Sequence, residues 1–210
     1  MGVGVKYMQQ TGRLYIVSAP SGAGKTSLVT ALVKNLPKIK VSVSHTTRTK
    51  RPGEVDGVNY YFTSVAEFQQ MIEMSKFLEF AEVYGNYYGT SQQWVEDTLA
   101  GGTDVILEID WQGGRQIRRL IKDTVSIFIM PPNKQVLHAR LIGREQDSDA
   151  IIEQRLSQAH AEMMHYNEYE YAIINDDFTT ALQALVSIVN AQRLQTSAQD
   201  WLLAKLVNNF

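Results

Sequence analysis

The most constraining feature of this chain is a short strand-like run that leads into a glycine-rich turn and then into a helix. Residues 13–18 are mostly apolar, Ala19–Thr26 read APSGAGKT, and a helix is expected from Lys25 to about Leu36. Glycines allow successive backbone N–H groups to point at one centre, and the N-terminus of the helix adds its dipole there. Strand, loop and helix follow in the order that a P-loop requires, so the pattern predicts a site for a nucleoside triphosphate.

The loop also predicts which groups bind the donor nucleotide and its metal ion. Lys25 would lie along the β- and γ-phosphates, and the hydroxyl of Thr26 would reach Mg²⁺. Ala19 stands where the motif usually begins with glycine, at the strand end and away from Gly24. A small-residue turn between a strand and a helix is the alternative interpretation, and the loop does not identify the acceptor. The predicted ATP-binding residues of the loop are Ala19, Pro20, Ser21, Gly22, Ala23, Gly24, Lys25 and Thr26.

Length and composition suit a single α/β unit. The chain has 210 residues, of which 44% are hydrophobic and 20% are charged, as in ordinary globular proteins. A formal net charge of −2 argues against a nucleic-acid partner, which usually requires a basic surface. The sequence has no cysteine, which excludes disulfides and zinc–thiolate sites. It also lacks a signal-peptide pattern and a long apolar run, so a cytoplasmic protein without a membrane partner is expected.

Continuous apolar runs alternate with helix-length segments along most of the chain. Strands are expected at residues 105–109, 125–130 and 171–174, and helices near 113–121 and 178–195. Buried parallel strands read as continuous apolar runs, so this alternation predicts an α/β fold whose parallel sheet is covered on both faces.

Two regions depart from this alternation. Residues 38–90 carry alternating segments, an aromatic strand at 60–62 and a helix near 65–75, which predicts a small, largely antiparallel insertion. Residues 133–167 predict two helices that are hinged near residues 143–148.

Two further motifs lie inside the insertion. Residues 44–54 read SHTTRTKRPGE, and residues 86–89 read NYYG. Together with the P-loop, and in this order, the motifs are similar to those of the guanylate kinase family, over roughly residues 13–193. The resemblance implies a P-loop nucleoside monophosphate kinase with a parallel core sheet, a small NMP-binding insertion and a helical lid. The implied parts are a core of residues 11–37, 91–135 and 167–210, an insertion of residues 38–90, and a lid of residues 136–166.

The resemblance also implies how the acceptor, GMP, is bound. Arg48 and Arg51 would hold its phosphate through charge-assisted hydrogen bonds, to which tyrosine hydroxyls would add. Glu79 would face the N1–H and the 2-amino group of guanine, a pair of donors that adenine lacks. A site of this kind rejects the wrong base by roughly 10⁴-fold. Thr90 stands where the family often has serine. The implied GMP-binding residues are Ser44, Arg48, Arg51, Tyr60, Glu79, Tyr88, Thr90 and Asp110.

These residues also have an interpretation that concerns structure alone. Arg48 and Arg51 would suit a solvated basic loop, and Tyr87-Tyr88 would suit the surface of a sheet. Glu79 lies within the run FLEFA at residues 77–81, and a strand with its polar face outward would leave the carboxylate exposed.

Arginines of the expected lid complete the predicted catalytic set. Arg140 and Arg144 are four residues apart and therefore share one helix face, and Arg155 follows on the next helix. The resemblance implies that they cover the phosphates when the lid closes and stabilise the transferring group. A solvated helix face is the alternative. On an earlier helix, Arg115, Arg118 and Arg119 are interpreted as surface charges. The predicted catalytic residues are Lys25, Arg48, Arg140, Arg144 and Arg155.

Two carboxylates after the strand at 105–109 are candidates for orienting the metal ion. Glu108 and Asp110 face the same side, because side chains alternate along a strand. The sequence does not choose between them, and Glu108 stands where the family often has aspartate. The predicted metal residues are Thr26 and Glu108. Asn175 matches a family position near the adenine of ATP and completes the predicted ATP-binding set.

The predicted activity is phosphoryl transfer from ATP to GMP, giving ADP and GDP, with Mg²⁺ as cofactor and dGMP as a further acceptor, within purine nucleotide metabolism. The alternatives are a guanylate-kinase-like protein-binding module, a P-loop kinase for another acceptor, and a GTPase. The first typically lacks ATP-site residues that are present here, and the last requires an Asn-Lys-x-Asp motif that this sequence lacks. The sequence leaves open whether the protein forms homo-oligomers.

Overall fold

The structure is a computed structural model that describes residues 11–143 and 149–209. Five strands form its main sheet: β1 (Leu14–Ser18), β2 (Ile39–Val41), β7 (Asp104–Glu108), β8 (Val125–Met130) and β9 (Tyr171–Ile174). All five are parallel, in the order β2–β7–β1–β8–β9. The observed bounds of β8 and β9 are those that their apolar runs predict.

Helices connect these strands and extend beyond them. In the described ranges they are α1 (Lys25–Asn35), α2 (Val65–Glu73), α3 (Gln92–Ala100), α4 (Trp111–Leu120), α5 (Lys134–Ile142), α6 (Asp149–Met163), α7 (Phe178–Arg193) and α8 (Thr196–Val207), with a 3-10 helix at Met164–Glu168. None of these described helices combines the length and the hydropathy that crossing a lipid bilayer requires.

Apolar side chains on both faces hold the main sheet between two layers of helices. On one face, Tyr15 lies in a buried cluster with Leu28 of α1 and Leu185 of α7. On the other face, Ile16 lies in a second cluster with Ile117 of α4. Successive residues of β1 thus point to opposite faces and are buried on each. This arrangement confirms the predicted α/β fold with a parallel sheet covered on both faces.

The insertion contains a second sheet of short strands. These are β3 (His45–Thr46), β4 (Tyr61–Phe62), β5 (Phe77–Val83) and β6 (Asn86–Ser91). Their order is β4–β3–β6–β5, with antiparallel pairing of β6 to both β3 and β5. Phe68 of α2 stacks on Phe77 at 4.5 Å and on Tyr87 at 5.5 Å between ring centroids. The insertion therefore has a small aromatic core of its own.

A two-residue turn joins β5 to β6. Tyr84 and Gly85 have φ values of 53° and 74°, so both lie in the left-handed region. This combination is that of a type I′ turn, whose twist matches the right-handed twist of the two strands that it joins.

Residues 39–41, which the sequence places within the insertion, form a strand of the main sheet instead. Ile39–Val41 pairs in parallel with residues 104–106 of β7. We therefore propose that the insertion begins after Val41, not at the predicted residue 38. Local periodicity does not reveal this pairing, because the partner strand is distant in sequence.

The two helices predicted for the lid are present and pack against each other. Leu137 and Leu141 of α5 form a cluster with Ala159 of α6. Arg144, which the sequence places in the catalytic set, lies outside the described residues.

Candidate active site

One cleft connects the P-loop, the insertion and the lid. It has a volume of about 630 Å³ and opens where β1, β2 and β7 end. Ligands of open parallel sheets bind at the carboxyl ends of strands. Most of the predicted site residues line this cleft: Ala19, Pro20, Ser21, Gly22, Gly24, Lys25, Thr26, Ser44, Arg48, Arg51, Tyr60, Glu79, Tyr88, Glu108, Asp110 and Arg155.

Four other predicted residues do not line the cleft but lie behind its walls: Ala23, Thr90, Arg140 and Asn175. Asn175 is buried, and its side-chain amide donates a hydrogen bond of 2.7 Å to the carbonyl of Ala23. Arg140 donates to the carbonyl of Asn175 at 2.9 Å. Thr90 lies beneath the carboxylate of Glu79. Asn175 and Arg140 thus hold the P-loop from the rear, and contact of either residue with ATP stays a prediction.

Two glycines give the P-loop its course. Gly22 and Gly24 have φ values of 90° and 94°, which L-residues with side chains rarely adopt. A Cβ atom on Gly24 would also collide with the side-chain amide of Asn175. The loop can therefore approach its support only because this position lacks a side chain.

Lys25 and Thr26 lie at the start of α1, directly after these glycines. Nζ of Lys25 lies 3.5 Å from the carbonyl oxygen of Ile109, at the end of β7. The hydroxyl of Thr26 donates a hydrogen bond of 2.8 Å to Oε2 of Glu108. The N-terminus of α1, one ammonium group and one carboxylate therefore meet at the same end of the cleft.

The structure distinguishes the two carboxylates between which the sequence does not choose. Asp110 caps α4, because its carboxylate accepts hydrogen bonds from the backbone N–H of Gly113 at 3.0 Å and from Gln112 at 3.1 Å. Glu108 instead reaches the hydroxyl of Thr26. The oxygen pair formed by Thr26 and Glu108 fits Mg²⁺, which retains several waters and binds few protein oxygens. Among the described residues, no group of three or more acidic or histidine side chains offers a complete metal cage.

Arg48 and Arg51 share one carboxylate partner on the insertion side. Arg48 forms an ion pair with Glu54 at 2.6 Å, and the backbone N–H of Arg51 donates to the other oxygen of Glu54 at 2.8 Å. Burial alone would raise the pKa of Glu54, but the hydrogen bonds from Arg48 and Arg51 lower it below its ordinary value. Glu54 therefore positions the arginines, a role that its place three residues after Arg51 could have indicated.

Two tyrosines lie beside this arginine. The guanidinium of Arg48 is 5.4 Å from the ring centroid of Tyr60, which meets the ring of Tyr88 edge-on at 5.9 Å. Burial raises the pKa of Tyr60 to about 12, so its hydroxyl stays protonated and can donate a hydrogen bond. Positive charge and hydroxyl donors thus converge on one part of the cleft.

Glu79 is buried, although its apolar neighbours also suit an exposed carboxylate. It is 4% exposed and faces the same side of β5 as Phe77 and Ala81. Thr90, its partner in the β5–β6 ladder, donates a hydrogen bond of 2.5 Å to Oε1. The exposed alternative is therefore wrong. Burial is the main reason why the pKa of Glu79 rises to about 7.

Gly113 makes room for this carboxylate. A Cβ atom at Gly113 would collide with Oε2 of Glu79 and would lie 3.2 Å from its Cδ. Gly113 stands in the first turn of α4, where backbone N–H groups favour negative charge. Helix α4 therefore forms the wall behind the acceptor end of the cleft.

Besides Glu54, two further cleft residues are not among those that the sequence predicts. Ser42 follows β2 directly, and its buried hydroxyl has no hydrogen-bond partner among the residues that the structure describes. Its place after a parallel strand is the signal that could have identified it. Glu162 of α6 accepts a hydrogen bond from the backbone N–H of Ser21 at 3.3 Å. Its position depends on how the lid packs, and sequence spacing does not give that.

Two arginines differ in how they agree with their predicted roles. Arg155, predicted for the lid, contacts the P-loop, whereas Arg118, interpreted as a surface charge, is largely buried. Arg155 donates to the hydroxyl of Ser21 at 3.4 Å. Arg118, whose side chain is 19% exposed, pairs with Glu168 at 2.9 Å and lies 4.5 Å from the ring of Tyr169. The interpretation of Arg118 as a surface charge is wrong, because the helix that carries it packs against the segment before β9.

Comparison with known proteins gives one consistent result. A family model described as guanylate kinase matches residues 11–192. A guanylate kinase of Saccharophagus degradans is 58% identical over 193 residues, which are 92% of this chain and 94% of that protein. One of Alcanivorax borkumensis is 57% identical over 192 residues, covering 91% and 93% of the two chains.

The fold has a relative among solved structures. The crystal structure of guanylate kinase from Anaplasma phagocytophilum matches with a TM-score of 0.76 and 32% identity, over 90% of this chain and 89% of that chain. The family model covers most of the sequence, and the similar proteins align over nearly their whole lengths. The chain belongs to the guanylate kinase family.

Proposed function

We propose that this chain transfers the γ-phosphoryl group of ATP to GMP or dGMP in the cytoplasm, giving ADP and GDP or dGDP. The observation that carries the proposal is the buried Glu79, which lines the same cleft as the P-loop residue Lys25. Removing a carboxylate from water costs the fold free energy unless hydrogen bonds compensate for it. Opposite a guanine, the same carboxylate accepts two hydrogen bonds.

The donor end of the cleft is assigned to the triphosphate. Gly22 and Gly24 let the loop turn its N–H groups towards the phosphates, and the N-terminus of α1 adds its dipole. Lys25 balances charge on the β- and γ-phosphates. Support for this assignment is the location of these groups around one end of the cleft.

The acceptor end is assigned to GMP. Arg48 and Arg51 bind its phosphate, and Tyr60 and Tyr88 add hydroxyl donors. Glu79 accepts from N1–H and the 2-amino group of guanine, while Thr90 fixes the orientation of that carboxylate. Adenine presents an acceptor at N1 and no 2-amino group, so it would offer the desolvated carboxylate no hydrogen-bond donor at either place.

The chemistry requires positioning more than proton transfer. An oxygen of the GMP phosphate attacks the γ-phosphorus, the bond from that phosphorus to the β–γ bridging oxygen breaks, and ADP leaves with the electron pair. A phosphate monoester is largely dianionic at pH 7, so the nucleophile needs no separate general base. Lys25, Arg48 and Arg155 line the cleft and stabilise the negative charge of the transferring group.

A magnesium ion would be held by Thr26 and, directly or through water, by Glu108. These two residues supply oxygen ligands within hydrogen-bond distance of each other. When bound, the ion supplies charge neutralisation on the donor phosphates. Glu108 also fixes the hydroxyl of Thr26 in place.

The test is an ADP-release assay with ATP, Mg²⁺ and a panel of AMP, GMP, dGMP, CMP and UMP. We expect turnover with GMP and dGMP, and we expect Glu79→Gln to lower kcat/KM for GMP by about 10²-fold or more. The KM for ATP should stay within about twofold of the wild type. Glu96→Gln, at an exposed position of α3, is the matched control. Equal losses towards both nucleotides would show that Glu79 does not select the base.

A further inference from the structure

Three parts of the molecule meet at the tip of the β5–β6 hairpin. The hydroxyl of Tyr84 donates a hydrogen bond of 2.8 Å to Oε1 of Glu162, which belongs to the lid helix α6. The other oxygen of Glu162 accepts from the backbone N–H of Ser21 in the P-loop at 3.3 Å. One carboxylate therefore joins the insertion, the lid and the donor loop.

The backbone at the hairpin tip does not favour a tyrosine. Tyr84 has a φ of 53°, and bulky residues are rare in the left-handed region. Type I′ turns place asparagine, aspartate or glycine at this position, because these residues tolerate positive φ. Strain of this kind persists where the surroundings determine the conformation, and it is common at functional sites. The turn gives no reason for a tyrosine at this position, whereas the hydrogen bond to Glu162 does.

A second residue of α6 reaches the same place. Arg155 precedes Glu162 by two helical turns, so both side chains lie on one face of α6. The guanidinium of Arg155 is 6.0 Å from the ring centroid of Tyr84, and it donates to the hydroxyl of Ser21 at 3.4 Å. The face of α6 that covers the P-loop therefore also contacts the hairpin tip.

The contact lies over the cleft. Tyr84, Arg155 and Glu162 all line it, together with Lys25 and Glu79. Glu162 is half-buried, and Tyr84 remains 40% exposed at the rim of the cleft. Partial burial raises the pKa of Glu162 and of Tyr84. The contact therefore lies where the cleft meets solvent.

We propose that Tyr84 and Glu162 form a latch between the insertion and the lid, so that binding of the acceptor and binding of the donor favour one closed arrangement. The inference rests on the proposed function and adds two positioning residues to it, since neither is assigned a contact with either nucleotide. When a contact forms only in the closed arrangement, it couples the affinities of the two binding sites. Each nucleotide then strengthens binding of the other by the same factor. Closure also keeps water away from the transferring phosphoryl group.

The first test measures this coupling directly. The affinity for a non-hydrolysable ATP analogue with Mg²⁺ is determined by calorimetry, with and without saturating GMP. In the wild type, GMP should strengthen binding of the analogue. In Tyr84→Phe and in Glu162→Gln the ratio of the two affinities should fall by about tenfold, as expected for loss of a hydrogen bond to a charged group. Tyr166→Phe removes a hydroxyl from an exposed tyrosine just beyond α6 and should keep the wild-type ratio.

The second test uses the reaction and the double variant. Both single variants should release more ADP than GDP, because water then replaces part of the acceptor. The double variant should show no further loss of coupling, since each single change already breaks the same contact. An unchanged affinity ratio in both single variants, no coupling in the wild type, or additive losses would overturn the latch.

Failure of the latch and failure of the proposed function give different results. A wild-type protein that makes no GDP contradicts the proposed function. A wild type that makes GDP, with single variants that retain its coupling, contradicts only the latch.

Hydrogen exchange offers a readout without turnover, because amides of residues 83–86 should gain protection with both nucleotides in the wild type and not in Tyr84→Phe. Equal protection in both proteins would also contradict the latch.

Discussion

At the scale of single residues, the ionisation of Glu79 links the acceptor end of the cleft to the stability of the protein. Its pKa lies near 7 because burial disfavours the charged carboxylate, and the hydrogen bond from Thr90 offsets part of that effect. The negative charge of Asp110 adds to the rise. A guanine base that donates two hydrogen bonds would favour the ionised form, so acceptor binding and loss of this proton should be coupled.

The raised pKa predicts how stability depends on pH. Below about pH 4.5 Glu79 is protonated in the folded and the unfolded protein, so it contributes no penalty. Between about pH 4.5 and 7 the unfolded chain releases this proton more readily, and the free energy of unfolding falls by roughly 3 kcal/mol. Glu79→Gln should remove this part of the decline.

Urea unfolding at pH 5 and pH 8 checks this prediction. At pH 8, Glu79→Gln should have a larger free energy of unfolding than the wild type. At pH 5, the free energies of unfolding of the two proteins should be closer to each other. Glu96→Gln, at an exposed position, should follow the wild type at both values. Parallel curves for the wild type and Glu79→Gln would show that this carboxylate is not destabilised by burial.

Lys25 gives a second prediction at this scale. Its ammonium group lies at the end of the P-loop and lines the cleft, so Lys25→Ala should lower turnover by about 10³-fold or more. Lys34→Ala, an exposed position on the same helix, should leave turnover within about twofold of the wild type. Steady-state kinetics and thermal unfolding of both variants provide the measurement. Appreciable GDP formation by Lys25→Ala would contradict the assigned role.

The residue scale also shows what the sequence could and could not provide. The glycines and the lysine of the P-loop are consecutive in the chain, so their arrangement could be predicted from local spacing. The inward direction of Glu79 depends on which face of β5 packs on α2 and α4, and nearby apolar residues on both sides leave that open. The contact of Glu162 with Ser21 depends on tertiary packing alone.

At the scale of elements, α4 and β5 determine the shape of the acceptor end together. The carboxylate of Glu79 on β5 lies against Gly113 on α4. Gly113→Ala should displace that carboxylate and raise the KM for GMP by about tenfold or more, with little change in the KM for ATP. Gly101→Ala is the control, since its added Cβ would meet no atom closer than 3.4 Å. Equal KM values for GMP in the two variants would contradict the close approach of α4 to Glu79.

The sequence predicts some strands more accurately than others. Strands β8 and β9 were predicted with their observed bounds, because each is a continuous apolar run that ends at a turn or a polar residue. The sequence does not predict β2 as a strand of the main sheet, since it has three residues, one of them a lysine, and its partner is distant in the chain. The division into core, insertion and lid stays a prediction, with the insertion now starting after Val41.

At the scale of the whole molecule, stability depends on the packing of helices on both faces of the main sheet. Leu185 of α7 is fully buried in the cluster that joins α7, α1 and the sheet. Leu185→Ala should lower the free energy of unfolding by about 2–5 kcal/mol, because it leaves a cavity. Leu194→Ala, at a position that is 71% exposed, should change it by no more than about 0.5 kcal/mol.

Urea unfolding of both leucine variants measures this difference. The KM values of folded Leu185→Ala should match those of the wild type, because α7 lies on the sheet away from the acceptor-binding residues. Similar losses of unfolding free energy in the two variants would show that burial in this cluster does not explain how Leu185 stabilises the protein.

The insertion leaves the core after β2 and returns through α3, and both of these elements contact β7. The two points of attachment therefore lie beside a single strand. A segment anchored in this way can be lengthened, shortened or replaced while the strands beneath it keep their partners. The insertion, which carries the proposed base-selecting residue Glu79, can thus change in sequence while the main sheet and the P-loop stay the same. A different acceptor preference can arise in this way without changes to the residues that bind the donor.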